Sequence, residues 1–306
     1  MLVSLTSSSK LRLIGTLHMA FSTVTAGAAL ANQTPTPGPA VRLHSLHSPF
    51  AQAKLQDTNF RVVHFVRHAQ GFHNVNADYK NPKYLDAELT EIGIQQCRDL
   101  SQRLQNQQME DAAVDGNVNV NVNVDCIIAS PMRRALQTAY HSFEHILLEG
   151  TSEETPNSQR IGKNVPFVAC EHWRETVNYV CDVRYPRTKL AEIFPYVDFN
   201  NIQHEDDPIF KHYEAKHGPL EEYTKHRESG DDEGLAIRAR KAWRTIAERP
   251  QSERSLAVVS HSAFFMHMFT RPELGVVSYA DGEVEALMMD GFENCELRSV
   301  AVETLY

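Results

Sequence analysis

Residues 61–74 have the sequence Arg-Val-Val-His-Phe-Val-Arg-His-Ala-Gln-Gly-Phe-His-Asn. The positions up to Val66 are apolar and rich in β-branched residues, which predicts a buried strand. Arg67 and His68 follow at once, so a guanidinium and an imidazole come directly after the carboxyl end of that strand. Ligands of open α/β sheets bind at this end of the strands. This stretch therefore predicts both a sheet and the position of a site.

Short apolar runs alternate with amphipathic stretches along the rest of the chain. Further strands are predicted at residues 125–129, 165–170, 255–260 and 297–302. Helices are predicted at residues 90–107, from 131 to about 149, and at 262–269. Thr90 fits an N-cap and Pro131 fits the first helical position. Strands that alternate with helices predict an α/β fold, a three-layer α/β/α sandwich with a mainly parallel central sheet.

Two later clusters also place a basic or histidine side chain at a strand end. Residues 129–139 (Ala-Ser-Pro-Met-Arg-Arg-Ala-Leu-Gln-Thr-Ala) put Arg134 in the first turns of a helix, whose amino end favours anions. Residues 258–265 (Val-Val-Ser-His-Ser-Ala-Phe-Phe) put His261 at another strand-to-helix junction. A single buried histidine or surface arginine is more often structural, so neither cluster specifies a function by itself. The three clusters together predict a site at one edge of the sheet.

The three clusters, in this order, resemble the histidine phosphatase superfamily. Its hallmarks are an Arg-His-Gly after the first strand, a Ser-x-x-x-Arg-Ala-x-x-Thr-Ala helix start and a late Ser-His-Gly or Ser-His-Ser. Residues 89–96 (Leu-Thr-Glu-Ile-Gly-Ile-Gln-Gln) match the family's Leu-Thr-x-x-Gly-x-x-Gln helix opening. Residues 68–75 and 181–184 are similar to the phosphoglycerate mutase-like branch of plants and fungi. Ala69 departs from the usual Gly. The resemblance covers residues 61–302 and implies the histidine phosphatase fold.

The resemblance implies roles for individual residues. His68 is the expected nucleophile that forms a phosphohistidine, and Glu175 is the expected general acid, with Glu171 as an alternative four residues earlier. Asp182 and Arg184 are candidate substrate-binding residues, for which a structural ion pair is an equal alternative. Further catalytic or substrate-binding groups are expected around the phosphoryl oxygens: Arg67, Asn74, Arg134 and His261. Such groups suit the chemistry, because a neutral imidazole must attack and an alkoxide leaving group needs a proton.

The function that the resemblance implies is a metal-independent phosphomonoester hydrolase, which transfers a phosphoryl group from a small substrate to His68 and then to water. The first alternative is phosphoglycerate mutase-type transfer, in which the group returns to a second hydroxyl of the substrate. Mutases of the family carry Arg-x-Tyr-Gly after the acid, whereas residues 176–179 here are Thr-Val-Asn-Tyr, which favours the hydrolase. The second alternative is a non-catalytic domain that binds a phosphorylated ligand.

The composition narrows the classes of partner and cofactor. The 306 residues carry a formal net charge of −9, so broad electrostatic binding to nucleic acid is not expected. The five cysteines are widely spaced with no Cys-x-x-Cys pair, which argues against a disulfide scaffold. The 15 histidines include no His-Glu-x-x-His motif, so no metal and no cofactor are predicted. The sequence makes no prediction of the oligomeric state.

The amino-terminal part differs from the rest in composition. No acidic residue precedes Asp57, and residues 1–31 combine two early basic positions with an apolar stretch diluted by Ser and Thr. This predicts a secretory or organellar leader, against the alternative of a non-targeting tail on a cytoplasmic protein, and it makes a poor membrane span. A leader and linker are therefore expected over residues 1–56, and a single catalytic domain over 57–306.

Two segments are predicted as insertions into that domain, near residues 108–124 and 185–234. The first contains Asn-Val repeated four times over residues 117–124 and is expected to be a loop, because nothing there fixes a strand register. The second includes residues 205–234, where ten acidic residues against four lysines and arginines predict a solvated helical excursion.

Overall fold

A computed structural model describes residues 38–75, 77–113, 123–147, 165–222, 226–229, 233–271 and 274–305. All of these residues belong to one compact unit, residues 37–306. The predicted leader lies outside the described residues, and so does most of the Asn-Val repeat.

A seven-stranded sheet forms the centre of the fold. Along the chain its strands are β1 (Val41–His44), β2 (Phe60–Arg67), β3 (Cys126–Ala129), β4 (Phe167–Ala169), β5 (Ser255–Ser260), β6 (Val277–Tyr279) and β7 (Leu297–Thr304). Their order in the sheet is β4-β3-β5-β2-β7-β1-β6. Strand β7 pairs antiparallel with both of its neighbours, and the other four pairings are parallel. The prediction of an α/β fold with a mainly parallel sheet is confirmed.

Helices cover both faces of this sheet. They are α1 (Pro49–Lys54), α2 (Phe72–Val75), α3 (Glu91–Ala113), α4 (Arg133–Leu147), α5 (Arg187–Ile193), α6 (Pro208–His217), α7 (Glu233–Ala247), α8 (Ser262–Thr270) and α9 (Gly282–Met289). Successive side chains of a strand point to opposite faces. Phe65 therefore packs in one apolar core with Trp243 of α7, while Val66 packs in another with Leu136 of α4. These two cores give the three layers.

The predicted strands and helices are present, with shifted ends. Helix α3 continues to Ala113, and the hydroxyl of Thr90 caps it by accepting from the amide of Gly93 at 3.0 Å. Helix α4 begins at Arg133, two residues later than the predicted start at Pro131. A proline preset for a helical φ leaves room for a short turn before the helix, so its position alone does not fix the first helical residue.

The linker predicted up to residue 56 is wrong from residue 41 onward. Strand β1 pairs with β7 and β6, and helix α1 follows it, with Ser48 as its N-cap. Leu43 is fully buried. The Pro- and Ser-containing composition hid a strand of four residues, because a run so short carries little periodicity. The leader itself remains a prediction.

The acidic segment, residues 205–234, is only partly a solvated excursion. Helix α6 lies within it, but Asp207, Arg227 and Glu228 are buried. Asp207 accepts two hydrogen bonds of 2.6 Å from Arg174, and Glu228 pairs with Arg238 of α7 at 2.9 Å. Buried charges persist when they are paired in this way. The prediction from net charge failed for these positions because a charge count does not reveal pairing.

Strands β3, β5 and β2 are adjacent and parallel, so their carboxyl ends meet at one edge of the sheet. The amide of His68 donates to the carbonyl of Ser260 at 2.9 Å, and that of Ser130 donates to the carbonyl of Val259 at 3.0 Å. The three clusters of the sequence are thereby brought together, as predicted.

Several general features follow from the described residues. All five cysteines are buried and carry free thiols. In the part of the chain that the structure describes, no helix is long and apolar enough to cross a bilayer. Over the same ranges, no three His, Cys, Asp or Glu side chains are grouped as a metal ion would need.

Candidate active site

His68 is buried directly after β2, and its ring is fixed by its own chain. Its Nδ1 lies 2.7 Å from the carbonyl oxygen of Ala69. A carbonyl oxygen only accepts, so Nδ1 carries the proton and Nε2 of the neutral ring keeps its lone pair. Burial first, and then the positive charges of Arg134 and Arg67, hold the pKa of His68 well below its ordinary value. The side chain is therefore a neutral imidazole prepared to act as a nucleophile.

Two helices hold the loop that follows His68. The amide of Ala69 donates to Thr138 Oγ1 on α4 at 3.0 Å, and the amide of Gln70 donates to Gln96 Oε1 on α3 at 2.9 Å. Helix α3 approaches so closely at Gly93 that a Cβ there would overlap the carbonyl oxygen of Gln70. The Gly and Gln of the helix-opening motif and the Thr of the second cluster therefore have one structural purpose. They hold the carbonyl that orients the nucleophile.

Ala69, the departure from the family motif, fits this loop. It is fully buried in the same apolar core as Cys97 of α3. It is not one of the described non-glycine residues with positive φ. Its backbone therefore has no need of glycine, and the methyl group is accommodated by packing.

Arg67 and Arg134 flank His68, and each is only partly paired. Arg67 Nη1 donates to the carbonyl of Phe292 at 2.6 Å. Arg134 Nη1 donates to the carbonyl of Cys181 at 2.6 Å, and its Nη2 lies 3.3 Å from Asp182 Oδ1. The Nε of each arginine is buried without a partner. Buried donors of this kind call for a ligand or another explanation, since most buried polar groups are hydrogen-bonded.

Glu175 is held by backbone amides at the amino end of α8. Its Oε1 accepts from the amides of Thr176 at 2.8 Å and Phe264 at 2.9 Å, and its Oε2 accepts from the amide of Ala263 at 3.3 Å. Burial first, and then the negative charge of Asp182, raise the pKa of Glu175 above its ordinary value. A carboxyl group with a raised pKa is suited to donate a proton near neutral pH.

These groups line a cavity of about 510 Å³. Six of the side chains predicted from the sequence are on its wall: Arg67, His68, Asn74, Arg134, Glu175 and Asp182. Asn74 Oδ1 accepts from the amide of Gly71 at 2.9 Å, so its Nδ2 is the group that can donate to a ligand. The cavity is large enough for a small substrate.

His261 was predicted to contact the phosphoryl group. The structure places its ring next to that of His68 and away from the cavity wall. It is fully buried, and its ring centroid lies 5.1 Å from that of His68. Its Nε2 contacts Ser130 Oγ at 2.7 Å, and its Nδ1 is buried without a partner. It does not belong to the cavity wall. His261 therefore meets the site through its contact with His68.

Arg184 is not brought to the cavity, which corrects its assignment as a substrate-binding residue. It is buried, and its Nε donates to Glu171 Oε1 at 2.5 Å. Its two terminal nitrogens donate to backbone carbonyls at 2.8 to 2.9 Å, those of Tyr185, His204, Glu205 and Asp206. Every donor of the guanidinium group is thus engaged within the protein. The motif placed Arg184 two residues from Asp182, but the chain turns its side chain away from the cavity.

Of the two candidate acids, Glu171 and Glu175, only Glu175 lies on the wall of the cavity that contains His68. Glu171 pairs with Arg184 and lies 3.4 Å from Arg174 Nη1, and it lines a different cavity of about 610 Å³. Asp182 binds Arg134 and accepts hydrogen bonds from the backbone amides of Asn178 and Tyr179. Of the two glutamates, Glu175 lines the cavity beside His68 and Glu171 does not, while Asp182 on the same wall holds Arg134.

Sequence reasoning missed several residues of the site. Asp86 accepts from the amides of Arg133 at 2.8 Å and Tyr185 at 2.9 Å, so it caps α4 from a loop 47 residues earlier. Its backbone has a positive φ of 44°, and no local pattern announces such a cap. Other cavity-lining side chains without a predicted role are His73, Tyr79, Asn178, Tyr179, His267 and Arg271. Of these, His73 lies within the first motif, residues 61–74, where its burial was the missing information.

Comparisons with known proteins give a family model and several relatives to which this chain is similar. The family model described as "Histidine phosphatase superfamily (branch 1)" matches residues 63–154. From Arabidopsis thaliana, "Phosphoglycerate mutase-like protein" is 29% identical over 259 residues, which cover 79% of this chain and 84% of the relative. "Phosphoglycerate mutase-like protein 1" of the same organism is 27% identical over 259 residues, 79% of this chain and 81% of the relative.

One solved structure, a phosphoglycerate mutase from Bacillus anthracis str. Sterne, aligns over 82% of this chain and 94% of its own, with a TM-score of 0.42 and 12% identity. The motifs on the strand ends, the family model and the two plant relatives agree with one another. The family model and the relatives support membership of the histidine phosphatase superfamily and an activity of the phosphohydrolase or phosphomutase type.

Proposed function

We propose that the protein is a metal-independent phosphomonoester hydrolase that works through a phosphohistidine on His68, with Glu175 as proton donor. The observation that carries this proposal is the hydrogen bond of 2.7 Å from His68 Nδ1 to the Ala69 carbonyl. It leaves Nε2 as the nucleophilic atom of a neutral ring beside two arginines, Arg67 and Arg134. A structural histidine has no need of such surroundings.

In the first step, His68 Nε2 attacks the phosphorus atom as the bond from phosphorus to the ester oxygen breaks. The negative charge of the phosphoryl oxygens is stabilised by the guanidinium groups of Arg67 and Arg134, which supply the charge that a metal would otherwise supply. Glu175 gives its proton to the leaving oxygen, which departs as an alcohol. The products of this step are a phosphohistidine and a Glu175 carboxylate.

In the second step, the Glu175 carboxylate accepts a proton from a water molecule whose oxygen attacks the phosphorus atom. The bond between phosphorus and His68 Nε2 breaks, and inorganic phosphate leaves. The imidazole returns to its neutral form, with its Nδ1 proton still held by Ala69. The raised pKa of Glu175 suits both steps, since the group must be protonated first and must accept a proton afterwards.

Asn74 completes the proposed phosphoryl environment, and His261 supports it through its ring contact with His68. The contact of 2.7 Å between His261 Nε2 and Ser130 Oγ holds the His261 ring in place. Asn74 Nδ2 is a further neutral donor on the cavity wall. Asp182 acts indirectly by positioning Arg134. The proposed substrate is a small phosphate ester, which matches the volume of the cavity.

Mutase-type transfer is the second candidate, and one observation favours it. Arg271 lines the same cavity as the two phosphoryl arginines, and a cation at that position suits a substrate carboxylate. The segment after Glu175 argues against mutase transfer, because it lacks the Arg-x-Tyr-Gly pattern of the mutases. Asn178 in this segment binds the protein itself. Its Oδ1 accepts from the amides of Arg227 at 2.6 Å and Glu228 at 3.0 Å. A non-catalytic phospho-ligand domain is the remaining alternative, although the nucleophile, the acid and both arginines are all present.

The test measures release of inorganic phosphate from p-nitrophenyl phosphate and a panel of small phosphate esters, with EDTA present, by the full chain and by His68→Ala. The matched control is His47→Ala, a change at an exposed histidine. We expect activity that survives EDTA, vanishes in His68→Ala and persists in His47→Ala. Isomerisation of 3-phosphoglycerate without free phosphate would establish the mutase instead. Binding of a phosphorylated ligand by folded protein without any turnover would establish a binding domain.

A further inference from the structure

Helix α2 turns a histidine inward and a phenylalanine outward. Phe72 is 48% exposed, whereas the neighbouring His73 is 4% exposed. Burial of the phenylalanine would gain hydrophobic free energy, and burial of an imidazole without hydrogen bonds costs free energy. The helix therefore buries a polar ring while the apolar ring beside it is exposed, and the burial of His73 calls for a reason other than hydrophobic packing.

The buried ring of His73 has an unmet hydrogen-bonding group. Its Nδ1 is buried and has no partner. The ring lies over the backbone of Gly71, where an added Cβ would come within 2.7 Å of both Nδ1 and Cε1. Because Gly71 carries no side chain, the ring fits in this position. A buried imidazole whose Nδ1 has no hydrogen-bond partner, and whose position requires a glycine beside it, has the features of a ligand-binding group.

The position of His73 shows what it faces. Its ring centroid lies 5.5 Å from that of His68 and 6.1 Å from that of Tyr79, and the side chain lines the same cavity as Arg67 and Arg134. Burial first, and then the charges of the two arginines, lower the pKa of His73 to about 2. The ring is therefore neutral and carries a single N–H group.

The proton of that neutral ring is best placed on Nε2. A buried N–H group without an acceptor is rarer in proteins than an under-used acceptor. Nδ1, which is buried against Gly71, is accordingly the unprotonated nitrogen. Nε2 is the remaining nitrogen of a side chain that lines the cavity, so we assign the N–H group that contacts a ligand to it. A neutral N–H donor beside two arginines complements an oxyanion.

We propose that His73 is a further phosphoryl-binding residue, which donates a hydrogen bond from Nε2 to an oxygen of the phosphoryl group held beside His68. The proposal deepens the proposed function and rests on it for the identity of the ligand as a phosphoryl group. It adds to the site a residue that acts by contact with the substrate, through a neutral donor on the side of the cavity formed by α2.

The test uses binding of inorganic phosphate and of orthovanadate to the full chain, measured by titration calorimetry, so that turnover is not required. His73→Phe keeps a ring and removes both nitrogens. His73→Gln places an amide nitrogen near the position of Nε2, and His73→Asn places one near the position of Nδ1. The matched control is His47→Gln at an exposed histidine. Thermal unfolding of each variant confirms that it is folded.

We expect His73→Phe and His73→Asn to weaken phosphate binding about 10- to 100-fold, the range for a hydrogen bond to a charged group. His73→Gln retains most of the affinity, and His47→Gln retains all of it. Unchanged phosphate affinity in folded His73→Phe would overturn the proposal. If the Phe variant fails to fold, the comparison of Gln with Asn decides, and equal affinities of those two would also overturn it.

The outcomes distinguish this proposal from the proposed function. If the wild type binds phosphate and His73→Phe does not, while no ester is hydrolysed, the hydrolase proposal fails and the role of His73 stands. If esters are hydrolysed and His73→Phe leaves both the phosphate affinity and kcat/KM unchanged, the hydrolase stands and the role of His73 fails. If the wild type binds neither phosphate nor vanadate, the phosphoryl site itself is refuted.

Discussion

Two pairs of buried arginines differ in how completely their donors are paired. The scaffold arginines, Arg184 and Arg238, direct all their donor nitrogens to carboxylates and backbone carbonyls of the protein. The cavity arginines, Arg67 and Arg134, use a terminal nitrogen for a carbonyl and leave Nε buried without a partner. Arg174 also leaves its Nε unpartnered, but its terminal nitrogens bind Asp207 and it lies off the cavity wall. We propose that incomplete pairing beside the cavity equips Arg67 and Arg134 to bind a ligand.

The scaffold arginines nevertheless determine the shape of the site. Arg238 of α7 binds Glu228 through two nitrogens, and Glu228 in turn accepts from the amide of Val177 at 2.9 Å. The carbonyl of Glu228 also accepts from Asn178 on the cavity wall. Through these contacts the acidic segment contributes to the wall beside Glu175. The comparison therefore predicts that changes to the two kinds of arginine have opposite signatures.

The largest effect is expected on stability, from Arg184→Met. Removal of this guanidinium leaves four backbone carbonyls without their donor and leaves Glu171 with only its 3.4 Å contact to Arg174, which costs about 3–5 kcal/mol of the free energy of unfolding. Denaturant unfolding measures it. The matched control is Arg187→Met, which removes a half-exposed pair with Glu205 at 3.7 Å and costs less than about 1 kcal/mol. If Arg184→Met were as stable as the wild type but had lost affinity for the substrate, Arg184 would be a ligand-binding residue.

The next effect is on catalysis, from Arg134→Met. Loss of one preorganised donor to the phosphoryl oxygens lowers kcat/KM by about 10²–10³-fold. The loss of stability is smaller than for Arg184→Met, because Asp182 keeps its two backbone donors. Steady-state kinetics and denaturant unfolding on the same preparation give both numbers. A large loss of stability with nearly unchanged kcat/KM would remove the distinction between the two kinds of arginine.

Glu175 and Glu171 extend the comparison to carboxylates. Glu175→Gln removes the proton donor, so we expect kcat to fall about 10²-fold for alkyl phosphates and much less for p-nitrophenyl phosphate, whose leaving group needs no proton. Activity on alkyl phosphates requires the protonated acid, so it falls as pH rises through the raised pKa of Glu175. That descending limb of the pH profile is absent from Glu175→Gln.

Glu171→Gln is the matched change in the scaffold. It weakens the pair with Arg184 and lowers stability, but it leaves the descending limb of the pH profile in place. If the descending limb disappeared in Glu171→Gln and persisted in Glu175→Gln, Glu171 would be the proton donor and Glu175 the structural carboxylate.

The smallest effect concerns the loop that orients the nucleophile. Gly93→Ala puts a methyl group against the carbonyl oxygen of Gln70, so we expect a loss of about 1–3 kcal/mol of stability and of about tenfold in kcat/KM. Gly282→Ala in α9 is the control, because a Cβ there meets nothing within 4 Å. In both helices alanine is intrinsically favoured over glycine. Equal behaviour of the two variants would show that the close approach of α3 has no role in catalysis.

Much of the fold was predictable from the sequence because the strands near the site are buried on both faces. Strand β5 is apolar along nearly its whole length, and the polar residues follow where it ends. The edge strand β1 was not predictable. It has four residues and one exposed position, and it pairs with segments more than 200 residues away.

The residues of the site divide along similar lines. His68, Arg134 and Glu175 were predictable because the superfamily motifs carry them. Arg184 was misassigned, because side-chain direction depends on how the chain turns after Asp182, which spacing does not encode. Asp86 was missed because its cap on α4 is a contact between residues far apart in the sequence. Motifs identify the residues of a site, and long-range pairing decides which of them face the ligand.

The most direct test of the central claim is to trap the phosphoenzyme. The full chain is mixed with a phosphate ester, quenched within milliseconds under alkaline conditions that preserve phosphohistidine, and the modified peptide is mapped by mass spectrometry. The predicted result is an acid-labile phosphoryl group on His68, at Nε2, that is absent from His68→Ala and that accumulates in Glu175→Gln with p-nitrophenyl phosphate. Turnover with no phosphoryl group on His68 at any quench time, or a label on another residue, would contradict the mechanism.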